Sequence, residues 1–121
     1  MSVWVWIGVA LLGGGGSLAR FMLDGTIGSV ARGGFPLGTF TVNASGALLL
    51  GLLSGAALTG DALVLAGSAT LGSYTTFSTW MLESQRLAED AEGGGALLNI
   101  ALSLAVGIGA AALGHAIGVH L

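Results

Sequence analysis

The chain has no cysteine, no lysine and a single proline, Pro36, in 121 residues. Without cysteine there are no disulfides, no thiolate metal centres and no reading of redox compartment. Charge is also scarce. Three arginines and six acidic residues make up 7% of the chain, against roughly 25% in a soluble domain. So few charged side chains cannot cover the surface of a soluble fold of this size. No basic patch exists to hold nucleic acid. No P-loop, HExxH or Gly-x-Ser-x-Gly segment occurs, so the expectation is not an enzyme.

What the chain does contain is apolar: 54% hydrophobic residues and a mean hydropathy of +0.92. We read a single integral membrane domain over residues 1–121. Glycine is abundant, 23 residues. In a membrane helix glycine lets backbones approach, because association there depends on packing rather than on hydrophobicity.

Four membrane helices are expected. Met1–Ala19 is uncharged, with Trp4 and Trp6 near its start where an interfacial belt places tryptophan. It lacks the positive start and small-residue cleavage site of a signal peptide, and is read as a helix ending near Met22. The run Gly13-Gly14-Gly15-Gly16 within it predicts a crowded helix crossing. Leu23–Gly34, with Arg20, Asp24 and Arg32 in or beside it, is the connecting segment. A second helix, Leu37–Leu58, opens after Pro36 and carries a small-residue ladder, Ala47, Gly51 and Gly55. Asp61 marks a short turn. The third helix runs from Ala62 to Leu71, breaks at Gly72–Thr75, and resumes to Ala88. Glu89 to Gly95 is an acidic, glycine-rich loop, and the fourth helix spans Ala96–Val119.

The third uncharged run, Ala62–Leu82, is long enough to cross a bilayer. Yet Gly72–Thr79 within it holds two serines and three threonines. A polar patch at that depth must face protein or a water-filled cavity. It suits an ion site, and it equally suits a kink packed through small hydroxyl residues. Phe77 and Trp80 stand one turn apart on one face. Asn43 brings an amide from the second helix, and Asn99, Ser103 and Gly107 form a face of the fourth. Polar faces from three helices predict a lined path. Membrane-depth carboxylates are missing apart from Glu83 at a span edge, whereas cation paths use carboxylates or carbonyls. Amide and hydroxyl donors, aromatic edges with positive character and nearby Arg20 suit a small anion.

These residues resemble the Fluc (CrcB) fluoride channels. The likeness rests on Gly14-Gly15-Gly16-Ser17-Leu18-Ala19-Arg20, on Pro36-Leu37-Gly38-Thr39-Phe40-Thr41-Val42-Asn43, and on Thr75-Thr76-Phe77-Ser78-Thr79 with Glu83. Asn99, Ser103 and Gly107 extend it into the fourth helix. The resemblance implies an all-α membrane protein, four helices with the third broken, forming an antiparallel dimer in the cell membrane with two fluoride pores at the interface. It implies a fluoride pore lined by Asn43, Phe77, Trp80, Ser103 and Thr76, with Arg20 in the vestibule. It further implies a structural Na+ at the dimer interface, held by carbonyls of Gly72 and Thr75. Trp80 stands where the family has a second phenylalanine, and its N–H is expected as an extra donor. Ser73-Tyr74 replaces the family's usual glycine and apolar residue.

Arg20, Arg32 and Arg86 all fall on one side of the four-span arrangement. Positive-inside counting then puts both termini outside. The partner is a second subunit of the same kind in opposite orientation, either an identical copy or a paralogue. The rival readings are a small four-helix proton-coupled multidrug-type antiporter, which needs an embedded carboxylate that the first helix lacks, and a non-conducting membrane subunit.

Overall fold

The computed structural model describes residues 1–31 and 33–121. Arg32, one of the three arginines in the orientation argument, lies outside the described residues. Helix α1 spans Val3–Val30, α2 Leu37–Gly55, α3 Gly60–Leu63, α4 Gly72–Tyr74, α5 Ser78–Glu89 and α6 Gly93–Gly118. A π-helical stretch, Val64–Leu71, joins α3 to α4. Among the described residues there is no strand.

Helix α1 begins where the Ser2 hydroxyl accepts the Val5 N–H at 3.3 Å, an N-cap. It continues past Met22 to Val30, so most of the segment read as a connection is helical. The Thr26 hydroxyl donates to the Met22 carbonyl and the Ser29 hydroxyl to the Thr26 carbonyl, each at 2.8 Å. No glycine with positive φ intervenes before Gly33, at +91°. The 28 residues extend about 42 Å at 1.5 Å per residue, against a hydrocarbon core of about 30 Å. Arg20 and Asp24 can therefore sit on this helix and still reach water.

Helix α2 stops at Gly55, before the expected Leu58. Ala57 adopts φ 58°, its N–H reaches the Ser54 carbonyl at 3.1 Å, and the Leu58 N–H reaches the Leu53 carbonyl at 3.2 Å. That is a Schellman closure with alanine in glycine's place. The end of α5 repeats it: Ala91 has φ 60°, and the Glu92 N–H meets the Leu87 carbonyl at 2.8 Å. This turn is tight enough for α6 to start at Gly93, so Gly93-Gly94-Gly95 form its first turn rather than a loop.

Between them the chain departs from the expected pattern in two ways. Residues 64–71 take a π-helical winding, and the Thr70 hydroxyl donates to the Leu65 carbonyl five residues back at 2.7 Å. Gly72–Tyr74, read from sequence as part of a break, is helical. The backbone turns extended at Thr75, φ −80° and ψ 161°, and is helical again from Ser78.

Helices α2 and α6 make the broadest contact in the fold. They run parallel, since Gly51 lies on the Ala111 backbone and Gly55 on that of His115. Gly114 and Gly118 answer from α6, against the backbones of Leu48 and Leu52. A Cβ at any of the four would strike a carbonyl. The run Gly13–Gly16 behaves differently from its reading as one crowded crossing. Only Gly16 is pressed against the chain, at the Thr70 carbonyl and the Ser73 hydroxyl, while Gly14 and Gly15 have nothing within 4 Å.

Helices α1, α2 and α6 are each long and apolar enough to cross a membrane. The core is small: among the described residues the buried hydrophobic ones are Val5, Val42, Ala69, Leu71, Leu87 and Ala96. The surface of 7120 Å² exceeds the about 5,900 Å² expected of a soluble chain of this mass. Large apolar side chains such as Trp4, Phe21 and Ile108 point outward. The chain is a membrane protein whose hydrophobic face is turned out.

Candidate functional site

The site begins with one amide. Asn43, on α2, pairs with the backbone of Thr76: its Nδ2 donates to the Thr76 carbonyl and its Oδ1 accepts the Thr76 N–H, both at 2.8 Å. In a continued α-helix that N–H would bond to the Gly72 carbonyl, four residues back. Asn43 takes it instead, so the helix ends and the exposed peptide is still satisfied. One Nδ2 hydrogen remains unassigned to Thr76, because a primary amide has two. The Thr76 hydroxyl then accepts the Thr79 N–H at 3.2 Å, capping the start of α5. The main-chain N–H and carbonyl of Thr76 and its hydroxyl oxygen are thus engaged at the interruption and at the start of α5.

A groove of about 590 Å³ opens over this point. Asn43, Gly72, Thr75, Thr76, Phe77 and Trp80 all line it. The expected pore residues Asn43, Thr76, Phe77 and Trp80 and the expected Na+ residues Gly72 and Thr75, read as separate sites, border the same groove. Phe77 is 69% exposed at its rim. Its ring meets that of Trp80 edge-to-face, centroids 5.7 Å apart and planes at 82°. The Trp80 Nε1–H, expected as a spare donor, is committed: it reaches the Asn99 carbonyl on α6 at 3.3 Å. Ser103 stands outside the groove lining and hydrogen-bonds Asn99, its hydroxyl donating to Oδ1 at 3.4 Å. Arg20 also lies apart, in a neighbouring cavity of about 250 Å³ with Asp24, Thr39, Thr76 and Thr79. Thr76 is common to both spaces.

Residues 7–115 match the family described as CrcB-like protein, Camphor Resistance (CrcB). The chain belongs to the CrcB family. It is 54% identical over 114 residues to the protein called Fluoride-specific ion channel FluC 2 of Mycolicibacterium paratuberculosis, covering 94% of this chain and 93% of that one. The FluC 2 of Mycobacterium tuberculosis (strain ATCC 25618 / H37Rv) is 52% identical over 115 residues, 95% of this chain and 91% of the relative. Fluoride-specific ion channel FluC 1 of Symbiobacterium thermophilum is 43% identical over 124 residues, 95% and 96% of the two chains.

Within this CrcB fold the interruption also sets electrostatics. Releasing the Gly72 carbonyl from its helical partner leaves oxygen at the C-terminal, negative end of a helix. Gly72 and Thr75 both border the groove. Hard carbonyl oxygens at such an end suit a small alkali cation, so the donor chemistry fits the Na+ expected from the resemblance. The amide of Asn43 and the aromatic edges, a few residues away, suit an anion.

Two contributors, Tyr74 and Ser84, were given no role by the sequence reading, and a third, Asn99, entered it only as part of a polar face. Tyr74 lays its ring over Gly46, 3.4 Å from where a Cβ would stand, and its hydroxyl pairs with Ser45 at 2.8 Å. Ser84 is 4% exposed; it accepts from Asn99 Nδ2 at 2.9 Å and donates to the Trp80 carbonyl at 2.9 Å. Asn99 itself is 1% exposed. A short polar residue four positions from an aromatic was the available signal for Ser84. Tyr74 offered none, because ring stacking on Gly46 joins positions far apart in the chain.

Proposed function

We propose that this protein is a passive, fluoride-selective anion channel that lets cytoplasmic fluoride leave the cell. The observation that carries the reading is the pairing of Asn43 with Thr76 at a groove that the Asn43 amide lines together with the rings of Phe77 and Trp80. Hydrofluoric acid crosses membranes uncharged and ionises inside, so a passive path for the anion suffices, with no nucleotide and no embedded proton-coupling carboxylate. The names of the relatives agree with this chemistry.

The third crossing is made of two parts, α3 through α4 and then α5, so that four spans traverse the cell membrane. The groove is open along one side and rimmed by exposed Phe77. A second subunit in opposite orientation would cover it, giving an antiparallel dimer with two pores at the interface. Asn43, Phe77, Trp80 and Thr76 line each path, Ser103 contributes from α6, and Arg20 collects the anion in the vestibule. Where the two interruptions cross, the carbonyls of Gly72 and Thr75 would hold Na+, which supplies a fixed positive charge and ties the halves together. The three-to-none arginine bias favours one orientation, and hence an oppositely inserted paralogue as well as a second copy for partner.

The test is fluoride release from proteoliposomes carrying the parent protein or Phe77→Ile, measured with a fluoride electrode. Phe77→Ile keeps an apolar group of lower edge polarity and is expected to abolish release while the protein still assembles. Unchanged release would remove Phe77 from the path.

A further inference from the structure

We infer that Asn99 is a positioning residue: from α6 it fixes the indole of Trp80, and through it the aromatic rim of the groove. This rests on the channel reading above. Asn99 and Val42 are the two most fully enclosed large side chains in the fold. Asn99 is the polar one, and its groups on both main chain and side chain are engaged. Its carbonyl takes the Trp80 Nε1–H at 3.3 Å. Its Nδ2 donates to Ser84 Oγ at 2.9 Å, and the Ser84 hydroxyl donates to the Trp80 carbonyl at 2.9 Å. The loop closes on one residue. The ring of Trp80 is tied to the main-chain carbonyl of Asn99, which any residue there would supply, and the Asn99 amide itself holds the backbone of Trp80 through Ser84.

The orientation that results has a chemical consequence. With its N–H turned to α6, the indole meets Phe77 at 82° and offers the groove carbon-bound hydrogens rather than an N–H. An N–H donor would bind an anion more tightly than a ring edge does, and a path must release what it binds. Holding the N–H away from the groove keeps the rim weakly attractive. The same amide sets the direction of the Ser103 hydroxyl, whose proton is aimed at Asn99 Oδ1 at 3.4 Å. With one end of the amide bonded to Ser84 and the other to Ser103, an amide flip would make the Ser84 hydroxyl choose between Asn99 Oδ1 and the Trp80 carbonyl, since it has one proton to donate.

The experiment is a double-substitution cycle read as fluoride release from proteoliposomes. Asn99→Leu fills the same space and holds neither Ser84 nor Ser103. It is expected to slow release roughly ten-fold in the parent and roughly three-fold or less when Trp80→Phe is also present, the non-additivity of residues acting through one another. A second reading uses Trp4→Phe with Trp6→Phe, which leaves Trp80 as the sole tryptophan. There Asn99→Leu keeps the main-chain carbonyl that takes the Trp80 Nε1–H but removes the tie through Ser84. The indole is then held less firmly, and its emission moves to longer wavelength as water reaches it from the groove. Ser84→Ala gives a smaller shift of the same sign, and it stands in for Asn99→Leu if that variant does not assemble. Equal losses in the two backgrounds with unchanged emission would make Asn99 a packing link between α5 and α6 and overturn the inference. If the parent itself releases no fluoride, the channel reading fails, and the emission shift alone still decides whether Asn99 holds the indole.

Discussion

Asn43→Ala removes both bonds that hold the Thr76 peptide out of the helix. Side-chain hydrogen bonds in membrane proteins average about 0.6 kcal/mol, so the fold should lose about 1 kcal/mol and still assemble, while fluoride release slows several-fold. Asn43→Asp separates the two roles. It keeps an acceptor for the Thr76 N–H, loses the donor, and puts a carboxylate in the groove. It should therefore conduct less than Asn43→Ala; equal or faster release would show that Asn43 only holds the backbone. Trp80→Phe keeps a ring edge at the rim and should retain release, because the indole N–H already faces Asn99. A dead channel would mean that the path depends on the indole. At this scale the sequence marked Asn43, Phe77 and Trp80 as members of one surface. It left Asn43's partner open, since an isolated amide 33 residues from Thr76 can pair with many groups.

Helix existence was legible in the uncharged runs, and helix ends were not. Leu23–Gly34 looked like a connection because it carries charge and glycine, yet back-bonded Thr26 and Ser29 let α1 run to Val30. Gly72–Tyr74, where a break was expected, is helical, and the backbone turns extended at Thr75, next to the Thr76 N–H that Asn43 accepts. The π-helical winding over residues 64–71 packs against α1, where Gly8 faces Leu65 and Gly16 faces Thr70, contacts not visible along the chain. Two predictions belong to the elements. Ala57→Gly and Ala91→Gly relieve a left-handed alanine at each Schellman turn and should each stabilise the protein by about 1 kcal/mol, raising the temperature of half-unfolding in detergent. Gly114→Val drives a side chain into the Leu48 carbonyl and should separate α2 from α6, lowering that temperature by more than either glycine raises it. A neutral Gly114→Val would contradict the close parallel packing.

Taken whole, the molecule exposes apolar side chains outward and, among its described residues, carries along one side a mostly apolar groove broken by Asn43, Ser68, Thr75 and Thr76. The outward surface explains the composition; the groove accounts for Asn43, Thr75 and Thr76, while Ser84, Asn99 and Ser103 are satisfied by bonds to one another. Composition announced the first feature plainly. The second depended on contacts between α2, the interruption, α5 and α6, which no local pattern encodes. Expressed alone and cross-linked in the membrane, the chain should give dimers if it pairs with itself. Monomers that become dimers only with an oppositely biased paralogue would point to the mixed pair. The most direct test of the account is the initial rate of anion release from vesicles reconstituted with the parent protein under matched fluoride and chloride gradients. Fluoride should leave far faster than from empty vesicles while chloride does not; fluoride release no faster than from empty vesicles, or equal release of both anions, would contradict it.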